Sequence, residues 1–529
     1  MVKSIIVTHQ SLPIQRRRRR LAPFLILGFT GLLAVVMQLL PEVDRNIRAW
    51  LTLGATLLGV ILLLLWLLFF SDLRWQQRIA RLGLMVGLLF LVKTITRTDG
   101  AASGTGIPRL VWRWLPTKDE QLAQTTIVLD NRAPVTAASA AEKGLRFAQF
   151  LGPNRDGRVD DLSLFGDWVV SPPKELWRRP VGLGWTGFVV ADGLAITQEQ
   201  VGENELVTAY VLRTGQPVWA HTNRVRFQEF LGGDGPRSTP TIVGDRVYAF
   251  GGTGILDCLS LSSGQLLWSV DVLKTHSLRN DTWGKSSAPL VVDGRVIVSG
   301  GTSSEKGWLA YDAETGRLLW AANGEAASYA SAVQVVLAGV KQILVTGPQA
   351  VAGLDPASGK AGWRFVWGNP KNPKCSQPVM LGNDRIFVSA GYGAGCAVFE
   401  VALAEGLFTT RELWRGKSMK TQFNNVAVRE GHLYGLDDGF MACVDITTGK
   451  RLWKDGRYGS GQTLLVGNRV LVQSEPGWVA LVEAKPSGFT ELGRINALQS
   501  KTWNNPALAG RYLLVRNDQE AVCYELPSK

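Results

Sequence analysis

From about residue 180 onward, the chain alternates short apolar runs with turn residues. Runs such as PTIVGDRVYAF, PLVVDGRVIVSG and TLLVGNRVLVQSE place Gly-Asp, Asp-Gly or Gly-Asn between two apolar stretches. Because these residues accept the positive φ of a tight turn, each run predicts a β-hairpin. A second hairpin is predicted at the Thr-Gly of YDAETGRLLW, where the glycine takes the left-handed position and a tryptophan follows four residues later.

This second phrase recurs along the chain. YVLRTGQPVW, LSLSSGQLLW, LDPASGKAGW and VDITTGKRLW repeat it, TTRELW and PPKELW are looser copies, and a degenerate copy has Gly493 in place of the aromatic. The copies end 39 to 52 residues apart, the period of a four-stranded propeller blade. We predict that the repeated tryptophans are structural and wedge each outermost strand against the next blade. They are Trp177, Trp219, Trp268, Trp320, Trp363, Trp414 and Trp453.

The number of repeats predicts how the ring closes. Seven complete units follow Trp177, and the final unit, Trp503–Leu526, has three strands and no fourth. The strand around Lys174–Arg179 has no blade of its own. Pairing it with the final unit removes two sheet edges that would otherwise be open to aggregation. The predicted fold is therefore all-β: an eight-bladed propeller at residues 145–529, closed by strand 174–179.

The first hundred residues are of a different kind. Leu21–Leu40 and Ala49–Phe70 are uncharged runs of 20 and 22 residues. At about 1.5 Å per residue, each spans the ~30 Å core of a bilayer as a helix. A third run, Leu82–Val92, has 11 residues and reaches Thr96 if Lys93 extends toward the headgroups. We predict a transmembrane region at 21–97 with spans of about 21–40, 49–70 and 82–96, although length alone leaves two or three spans open.

The charge pattern orients these spans. Of the net charge of +13, residues 1–100 supply +9, including the five arginines Arg16–Arg20 of a basic N-terminus, residues 1–20. The positive-inside rule places this N-terminus and the 71–81 loop in the cytoplasm. Three spans then put the propeller in the periplasm, and two keep it inside. The basic balance thus reflects membrane orientation and anionic lipid, and we expect no nucleic-acid partner.

Between the two regions, residues 98–144 are rich in Ala, Gly, Ser and Thr and predict a linker, with one helix near Lys118–Gln124. The long first spans lack a small-residue cleavage site, so they do not resemble a cleavable signal peptide.

Several local motifs lack the context that their chemistry needs. GLGWTG at 182–187 matches a dinucleotide fingerprint, but a hairpin follows it instead of a helix. NRDGRVDD at 154–161 lacks the ligands of a calcium loop and predicts a polar turn. Three of the five cysteines fall at one place in the third strand of their blades, where they predict a small buried slot. Whether Cys375 and Cys396 pair is left open. The histidines are scattered, and no metal site is predicted.

The remaining candidate site is the axial mouth, the end of the central channel where the innermost strands begin. These starts are polar, and indoles lie nearby in the sequence, so together they form a candidate site for a planar polar ligand. The alternative is that a wet channel has a polar lining in any case. The candidate ligand-binding residues are Trp185, Glu229, Arg237, Trp283, Gln377, Asn424, Trp503 and Asn504.

The repeated phrases resemble the pyrroloquinoline-quinone-like (PQQ-like, quinoprotein-type) repeat, in which a small-x-Asp-x-x-Thr-Gly-x-x-x-Trp pattern ends each blade. LGPNRDG, GRYGSGQ and KTWNNP also resemble membrane-anchored bacterial members of that quinoprotein alcohol dehydrogenase-like superfamily. The resemblance implies the propeller fold. It implies two kinds of function: quinone-dependent dehydrogenases and non-catalytic scaffolds of outer-membrane assembly.

The dehydrogenases of this superfamily require a calcium held by carboxylate and amide, an aspartate base, a stacking tryptophan and usually a disulfide between adjacent cysteines. This chain has no adjacent cysteines, and Glu229, Asp234 and Asp281 form no recognisable ligand set.

We therefore expect a non-catalytic propeller tethered to the cytoplasmic membrane and projecting into the periplasm, with protein partners in a membrane or envelope complex and no cofactor. The alternative is an oxidoreductase that uses PQQ with calcium and feeds electrons to the membrane. A third hypothesis is carbohydrate or polymer binding through exposed aromatic residues.

Overall fold

The computed structural model describes residues 12–40, 43–124, 144–160, 162–164, 167–301, 305–322 and 324–527. The chain divides into two compact units. One is helical and comprises residues 1–99 and 105–115, and the other comprises residues 100–104 and 116–529. Residues 1–11 of the basic N-terminus and residues 125–143 of the predicted linker lie outside the described residues.

Apolar helices dominate the first unit. Among the described residues, two stretches, Leu21–Gln38 and Arg45–Phe70, are long and apolar enough to cross a membrane. They coincide with the first two predicted spans. The helices are α1 (Leu12–Gln38), α2 (Arg45–Leu65), which continues in a π-helical turn (Trp66–Phe70), and α3 (Trp75–Ile95).

Helix α3 has 21 residues, as many as α2. It also carries Arg78, Arg81 and Lys93, so its apolar part is shorter than that of α2. Its apolar side chains are exposed all round, with Leu84, Leu89 and Phe90 among the most exposed. The third span therefore stays a prediction.

Hydrogen bonds show which ends of the three helices lie next to one another. Gln38 Nε2, at the end of α1, donates to Thr52 Oγ1 near the start of α2 at 2.7 Å. Arg78, at the start of α3, donates to the Ser71 carbonyl beyond the end of α2 at 2.6 Å. Trp50 Nε1, in the first turns of α2, donates to the Thr105 carbonyl at 3.1 Å. The chain that follows α3 therefore lies beside the N-terminal end of α2.

The predicted linker is more ordered at its start than its composition indicates. Strands β1 (Thr96–Ala101) and β2 (Pro108–Trp112) pair in a two-stranded sheet directly after α3. Helix α4 (Lys118–Gln124) occupies the predicted range. The signal for this hairpin was the turn-forming Gly-Thr-Gly at 104–106 followed by the apolar run LVWRWL at 110–115. The small residues that precede the run obscured it.

Eight four-stranded antiparallel blades form the ring of the second unit, as predicted, and a short fifth strand adds to one of their sheets in parallel. Each blade runs from an inner strand to an outer strand in chain order. Blade 1 comprises Val189–Ala191, Leu194–Val201, Asn204–Val211 and Pro217–Asn223; blade 2, Thr241–Val243, Arg246–Phe250, Ile255–Ser260 and Leu266–Asp271; blade 3, Leu290–Val292, Arg295–Ser299, Trp308–Asp312 and Leu318–Ala322; blade 4, Val333–Leu337, Val340–Thr346, Ala350–Leu354 and Ala361–Val366.

The other four blades follow the same order, and a short helix, α5 (Val272–His276), follows blade 2. Blade 5 comprises Val379–Gly382, Arg385–Ala390, Gly395–Ala404 and Leu407–Gly416; blade 6, Ala427–Arg429, His432–Asp437, Phe440–Asp445 and Arg451–Arg457; blade 7, Gln462–Val466, Arg469–Gln473, Val479–Glu483 and Glu491–Ile495; blade 8, Ala507–Ala509, Tyr512–Arg516 and Glu520–Glu525.

Blade 8 takes its outer strand from the beginning of the propeller. Its third strand pairs antiparallel with Lys174–Pro180, with Cys523 opposite Trp177 and Val522 opposite Arg178. The predicted closure by strand 174–179 is confirmed. It covers the edge of the third strand of blade 8 and gives the Lys174–Pro180 strand a partner.

The recurring phrase joins each blade to the next. The indole of Trp268 in blade 2 donates from Nε1 to the Ala313 carbonyl in blade 3 at 3.1 Å. Gly316, three residues after that carbonyl, lies against the same ring. The same contact recurs with identical spacing, in which the indole and the glycine belong to successive blades. The other pairs are Trp177–Gly215, Trp219–Gly264, Trp320–Gly359 and Trp414–Gly449.

Three positions depart from this contact. Trp453 of blade 6 donates to the Lys485 carbonyl of blade 7 at 2.9 Å, but nothing lies within 4 Å of the Cβ position of Gly488, three residues later.

The other two departures follow from the sequence. Blade 5 has a long hairpin where Thr-Gly would be, and Trp363 of blade 4 donates instead to Gln342 Oε1 within its own blade at 2.6 Å. In blade 7, where Gly493 replaces the tryptophan, Trp168 packs directly on that glycine and is 3% exposed. A side chain from a distant segment thus fills the missing position.

Candidate functional site at the axial mouth

The structure brings four of the predicted mouth residues together around the loop at Gly232. Trp185 Nε1 donates to the Gly232 carbonyl at 2.6 Å. The Glu229 carboxylate accepts the Gly232 N–H and, at 3.0 Å, the Leu231 N–H. A Cβ on Gly232 would lie 2.8 Å from Glu229 Oε2 and 3.2 Å from Trp283, so the loop packs tightly among these side chains.

Arg237 holds the same loop through hydrogen bonds to its backbone. Its guanidinium donates to the carbonyls of Gly233 at 2.7 Å and Gly235 at 2.8 Å, and it lies 4.7 Å from the ring centre of Phe227. Burial lowers the pKa of Arg237 to about 10, against the opposing field of Glu229. Its donors are directed at backbone carbonyls of its own loop, which makes it a structural clamp in this state of the molecule.

Trp503 lies beside Trp185, with ring centres 4.8 Å apart and planes inclined at 46°. Its Nε1 donates to Glu475 Oε1 at 2.9 Å. The Lys501 ammonium is 4.1 Å from the Trp503 ring centre and 5.2 Å from that of Trp185, so a cation covers the two indoles.

Another part of the chain enters the mouth. The Gly104 N–H donates to the Glu475 carboxylate, and Lys501 donates to the Ala101 carbonyl at 2.7 Å. A Cβ on Gly104 would overlap the Ser460 hydroxyl and come within 3.1 Å of Phe423. Residues 100–104, which we call the mouth segment, therefore occupy the space that the sequence suggested for a ligand.

Helix α4, which follows the mouth segment in this unit, is bound to the same face. Asp119 pairs with Arg226 at 2.7 Å, and Arg226 also pairs with Asp234 at 2.7 Å. Lys118 pairs with Asp518 at 2.5 Å. These ion pairs connect α4 to loops of blades 1, 2 and 8.

The predicted amides lie deeper and hold the channel wall. Gln377, Asn424 and Asn504 are all buried. Asn424 donates to the Leu436 carbonyl at 3.0 Å, and Asn504 donates to that of Thr186 at 2.8 Å, across the closure of the ring. The Gln377 amide donates to the Arg155 carbonyl. Their role as ligand-binding residues stays a prediction.

A loop that precedes the closing strand fills the channel. We call residues 145–159 the axial loop. Phe147 bridges to Val190 in blade 1, and strand β3 (Arg158–Val159) pairs parallel with the inner strand of blade 7. The NRDG turn predicted as a polar turn is a turn, but it lies inside the ring, because Arg155 is 2% exposed.

The Arg155 guanidinium supplies hydrogen bonds to the innermost backbone carbonyls, which water would otherwise have to supply. It donates to the carbonyls of Ala288 at 2.7 Å, Ala332 at 2.9 Å and Pro289 at 3.1 Å. Burial lowers its pKa to about 9. The sequence offered no signal for this role, since one arginine in a polar turn has no periodicity.

Arg237 was predicted, but it belongs to a set of basic mouth residues whose other members our sequence reasoning missed. A basic residue precedes the inner strand in RSTPT, KSSAP, KCSQP, KTQFNN and KTWNNP. Lys285, for example, is fully buried and donates to Asp281 at 2.7 Å and to the Gly300 carbonyl at 2.9 Å, so it braces the loop between its second and third strands. The members are Arg237, Lys285, Lys374, Lys420 and Lys501.

The cysteines provide no second site. All five thiols are free, so Cys375 and Cys396 do not pair here. Cys258, Cys443 and Cys523 occupy third strands opposite the blade tryptophans, as predicted. No group of three or more His, Cys, Asp or Glu side chains in the described part of the chain is arranged to hold a metal.

A cavity of about 570 Å³ lies away from the mouth, against the first turns of blades 6 and 7. Three guanidiniums and two carboxylates line it. Arg158 pairs with Asp160 at 2.9 Å and Arg429 with Glu430 at 2.6 Å, while Arg469 faces Glu483 at 3.6 Å. Glu483 also pairs with Lys485 at 2.5 Å and does not line the cavity, so three arginines against Asp160 and Glu430 leave the lining with a net charge of +1.

Comparison with known proteins agrees with the repeat pattern. The family model PQQ_2, "Outer membrane protein assembly factor BamB", matches residues 203–455. The outer membrane protein assembly factor BamB of Burkholderia pseudomallei (strain K96243) is 24% identical over 402 residues, which cover 72% of this chain and 94% of that protein.

Solved structures share the fold. BamB from Moraxella catarrhalis superposes with a TM-score of 0.51 at 14% identity, covering 67% of this chain and all of that one. The quinohemoprotein alcohol dehydrogenase of Comamonas testosteroni gives 0.53 at 12% identity, covering 77% and 84%. At these identities the likeness concerns the fold alone. The chain is an eight-bladed β-propeller whose repeats are similar to the PQQ-like family, as the sequence predicted.

Proposed function

We propose that this PQQ-like propeller is a non-catalytic scaffold of the bacterial cell envelope, tethered to the cytoplasmic membrane by its N-terminal helices and binding protein partners in a membrane or envelope complex. The observation that carries the proposal is the mouth segment, because the place where a propeller of this kind would take a small ligand is filled by the chain itself.

The comparisons support the scaffold side of this proposal. The family model and the curated relative are both described as an outer membrane protein assembly factor, and the relative is matched over 94% of its length. The dehydrogenase resembles this chain in fold at 12% identity. Fold alone does not transfer chemistry, so the sequence relative has the greater weight.

The alternative with PQQ and calcium fits the mouth poorly. A planar quinone needs an open indole face, whereas Trp185 and Trp503 incline toward each other and Lys501 covers both. A calcium ion needs several free oxygen ligands. Glu475 instead accepts N–H groups from Gly104, Ser460 and Trp503, and Glu229 accepts two from its own loop. The residues present do not fit the group, and we derive no reaction through it.

The helical unit supports a tether that crosses the membrane three times. The contact of Trp50 with Thr105 means that the chain returns along the length of α2 after α3 begins. With Arg16–Arg20 at the cytoplasmic end of the first span, three crossings leave the propeller in the periplasm.

Native gel electrophoresis of the full chain, extracted from its own membranes in mild detergent, tests the scaffold role. We expect the chain to migrate in a complex larger than the protein purified alone. The complex should be lost when the extraction is done at high salt and high detergent. Migration as a monomer from native membranes at native expression would overturn the scaffold proposal.

Thermal unfolding with PQQ and Ca²⁺ tests the alternative. A ligand that binds only the native state raises the melting temperature. We expect no shift at excess ligand. A shift that is lost in the Glu475→Gln variant would assign the mouth to a cofactor and contradict the proposal.

Protease treatment of intact spheroplasts tests the compartment. We expect the propeller to be digested or released without lysis. A propeller that is degraded only after lysis would place it in the cytoplasm and reduce the tether to two crossings.

A further inference from the structure

The β1–β2 hairpin carries an exposed apolar group at the end of α3. Leu110, Trp112, Trp114 and Leu115 are exposed by 59%, 46%, 66% and 45%. The two indoles stack, with ring centres 4.9 Å apart and planes inclined at 7°. Exposed indoles and leucines that cluster in one short segment are unfavourable in water, and they need a partner of matching chemistry.

The hairpin is fixed to the end of α3. The Arg113 N–H donates to the Ile95 carbonyl, the last of the helix, at 2.9 Å, and Arg113 Nε donates to the Thr96 carbonyl at 2.9 Å. Arg97 donates to the carbonyls of Arg113 at 3.1 Å and Leu115 at 2.8 Å. The indoles therefore keep a defined position relative to the axis of α3.

The hairpin also meets the first turns of α2. Trp50 Nε1 donates to Thr105, in the turn between the two strands, and Trp50 is itself 47% exposed. One end of the helical unit thus collects exposed indoles from two segments that are far apart in sequence. Tryptophan is enriched at the membrane–water interface because its ring is apolar and its N–H is polar.

Arginines alternate with these apolar residues. Arg109 and Arg113 are exposed and flank Leu110 and Trp112. A guanidinium binds phosphate through paired hydrogen bonds, so indoles at the acyl boundary and arginines at the headgroups match the two layers of a lipid surface.

The length of α3 supplies a reason for such an element. Its uninterrupted apolar part, Leu82–Val92, is about 16 Å long at 1.5 Å per residue, well short of the ~30 Å hydrocarbon core. A short span is stabilised when flanking residues hold its end at the interface.

We propose that the exposed part of the hairpin, residues 108–115, seats in the headgroup layer of the membrane at the end of α3 and recognises phosphate-bearing lipid through Trp112, Trp114, Arg109 and Arg113. This inference rests on the proposed membrane tether. It adds an interfacial lipid-binding element to the helical unit, in the chain that follows α3.

Spin-label depth measurements on the full chain in phospholipid nanodiscs test it. Labels at Leu110→Cys and Trp114→Cys report on the hairpin, Ile61→Cys on the middle of α2, and Leu407→Cys, 72% exposed on blade 5, on water. The unsubstituted chain, in which four cysteines are buried and Cys375 is half-buried, gives the background.

We expect the ratio of oxygen to nickel-chelate collisions at positions 110 and 114 to lie between those at 61 and 407, several-fold above the value at 407. In the Trp112→Ser, Trp114→Ser background, the label at 110 should shift toward the value at 407. If position 61 reports lipid while 110 and 114 match 407, the hairpin proposal is overturned and the tether stands. If position 61 itself reports water, the tether is wrong and the hairpin proposal falls with it.

Discussion

Gly316 lies flat against the indole of Trp268 in the preceding blade. A Cβ on this glycine would lie 2.7 Å from Cε3 of the ring, and its φ is +70°. The stretch YDAETGRLLW therefore combines two functions: its glycine receives the tryptophan of the blade before it, and its own Trp320 reaches the blade after it. This relationship makes the repeat a connector between blades.

Gly316→Ala should destabilise the propeller more than a loss of turn geometry explains. Gly294 in the same blade also has φ +70°, but nothing lies within 4 Å of its Cβ position. Gly294→Ala should cost about 1–2 kcal/mol, from the left-handed backbone alone. Gly316→Ala should cost a further ~1–3 kcal/mol, because the methyl group displaces the indole. Equal urea midpoints for the two variants would contradict the blade-to-blade contact.

Trp168→Ala should cost about 3–5 kcal/mol, since it empties the position that the absent blade tryptophan leaves at Gly493. The neighbouring Val169 is 83% exposed, and Val169→Ala should stay within about 0.5 kcal/mol of the unsubstituted protein. Chemical denaturation of both variants measures the difference. Similar denaturation midpoints for the two would mean that Trp168 contributes no core packing.

Arg155→Met should destabilise the ring by about 3 kcal/mol or more. The substitution removes a buried charge, which is favourable, but it leaves the carbonyls of Ala288, Pro289 and Ala332 without their donor. Arg158→Met, three residues away on a half-buried surface pair, should cost less than about 1 kcal/mol. If Arg155→Met leaves the free energy of unfolding unchanged in urea denaturation, water must reach these carbonyls at the axis.

Glu205 should make stability depend on pH. It is 3% exposed, its Oε2 accepts the Gly252 N–H at 2.9 Å, and its Oε1 has no hydrogen-bond partner among the described residues. Burial raises its pKa to about 7. A carboxyl with a raised folded-state pKa binds more protons when folded, so stability should rise as pH falls from about 7 toward 4.5, by up to ~3 kcal/mol.

Glu205→Gln keeps an acceptor for Gly252 and removes the titration. Its stability should exceed that of the unsubstituted protein above pH 7, and the two should converge near pH 4.5. Urea unfolding across this range measures the difference, and parallel profiles would assign the pH dependence to other groups.

Glu475→Gln should loosen the mouth segment. The variant replaces a charged acceptor of the Gly104 N–H by a neutral one, and hydrogen bonds to charged groups are the stronger class. Amide hydrogen exchange at residues 100–104 should become faster, while exchange in the blade strands stays unchanged. Glu412→Gln, in a surface pair with Arg415, is the control. Unchanged exchange at the segment would mean that Glu475 does not hold it.

Local pattern was sufficient for the architecture. Hairpin signals, the 39–52-residue period and an orphan strand led to eight blades and to the pairing of Lys174–Arg179 with blade 8, because each of these features is written in residues close together in the chain. Leu21–Leu40 and Ala49–Phe70 were equally direct, since apolar length is a property of composition.

The contents of the channel and mouth were decided by tertiary structure. Arg155, the mouth segment and Trp168 come from non-repeating segments that contact the ring far along the chain, and no periodicity marks them. The sequence by itself determined which residues form the ring and its polar inner edge. Only the folded chain decided that its own backbone satisfies that edge, because buried carbonyls and carboxylates take whichever donor the fold brings within hydrogen-bonding distance.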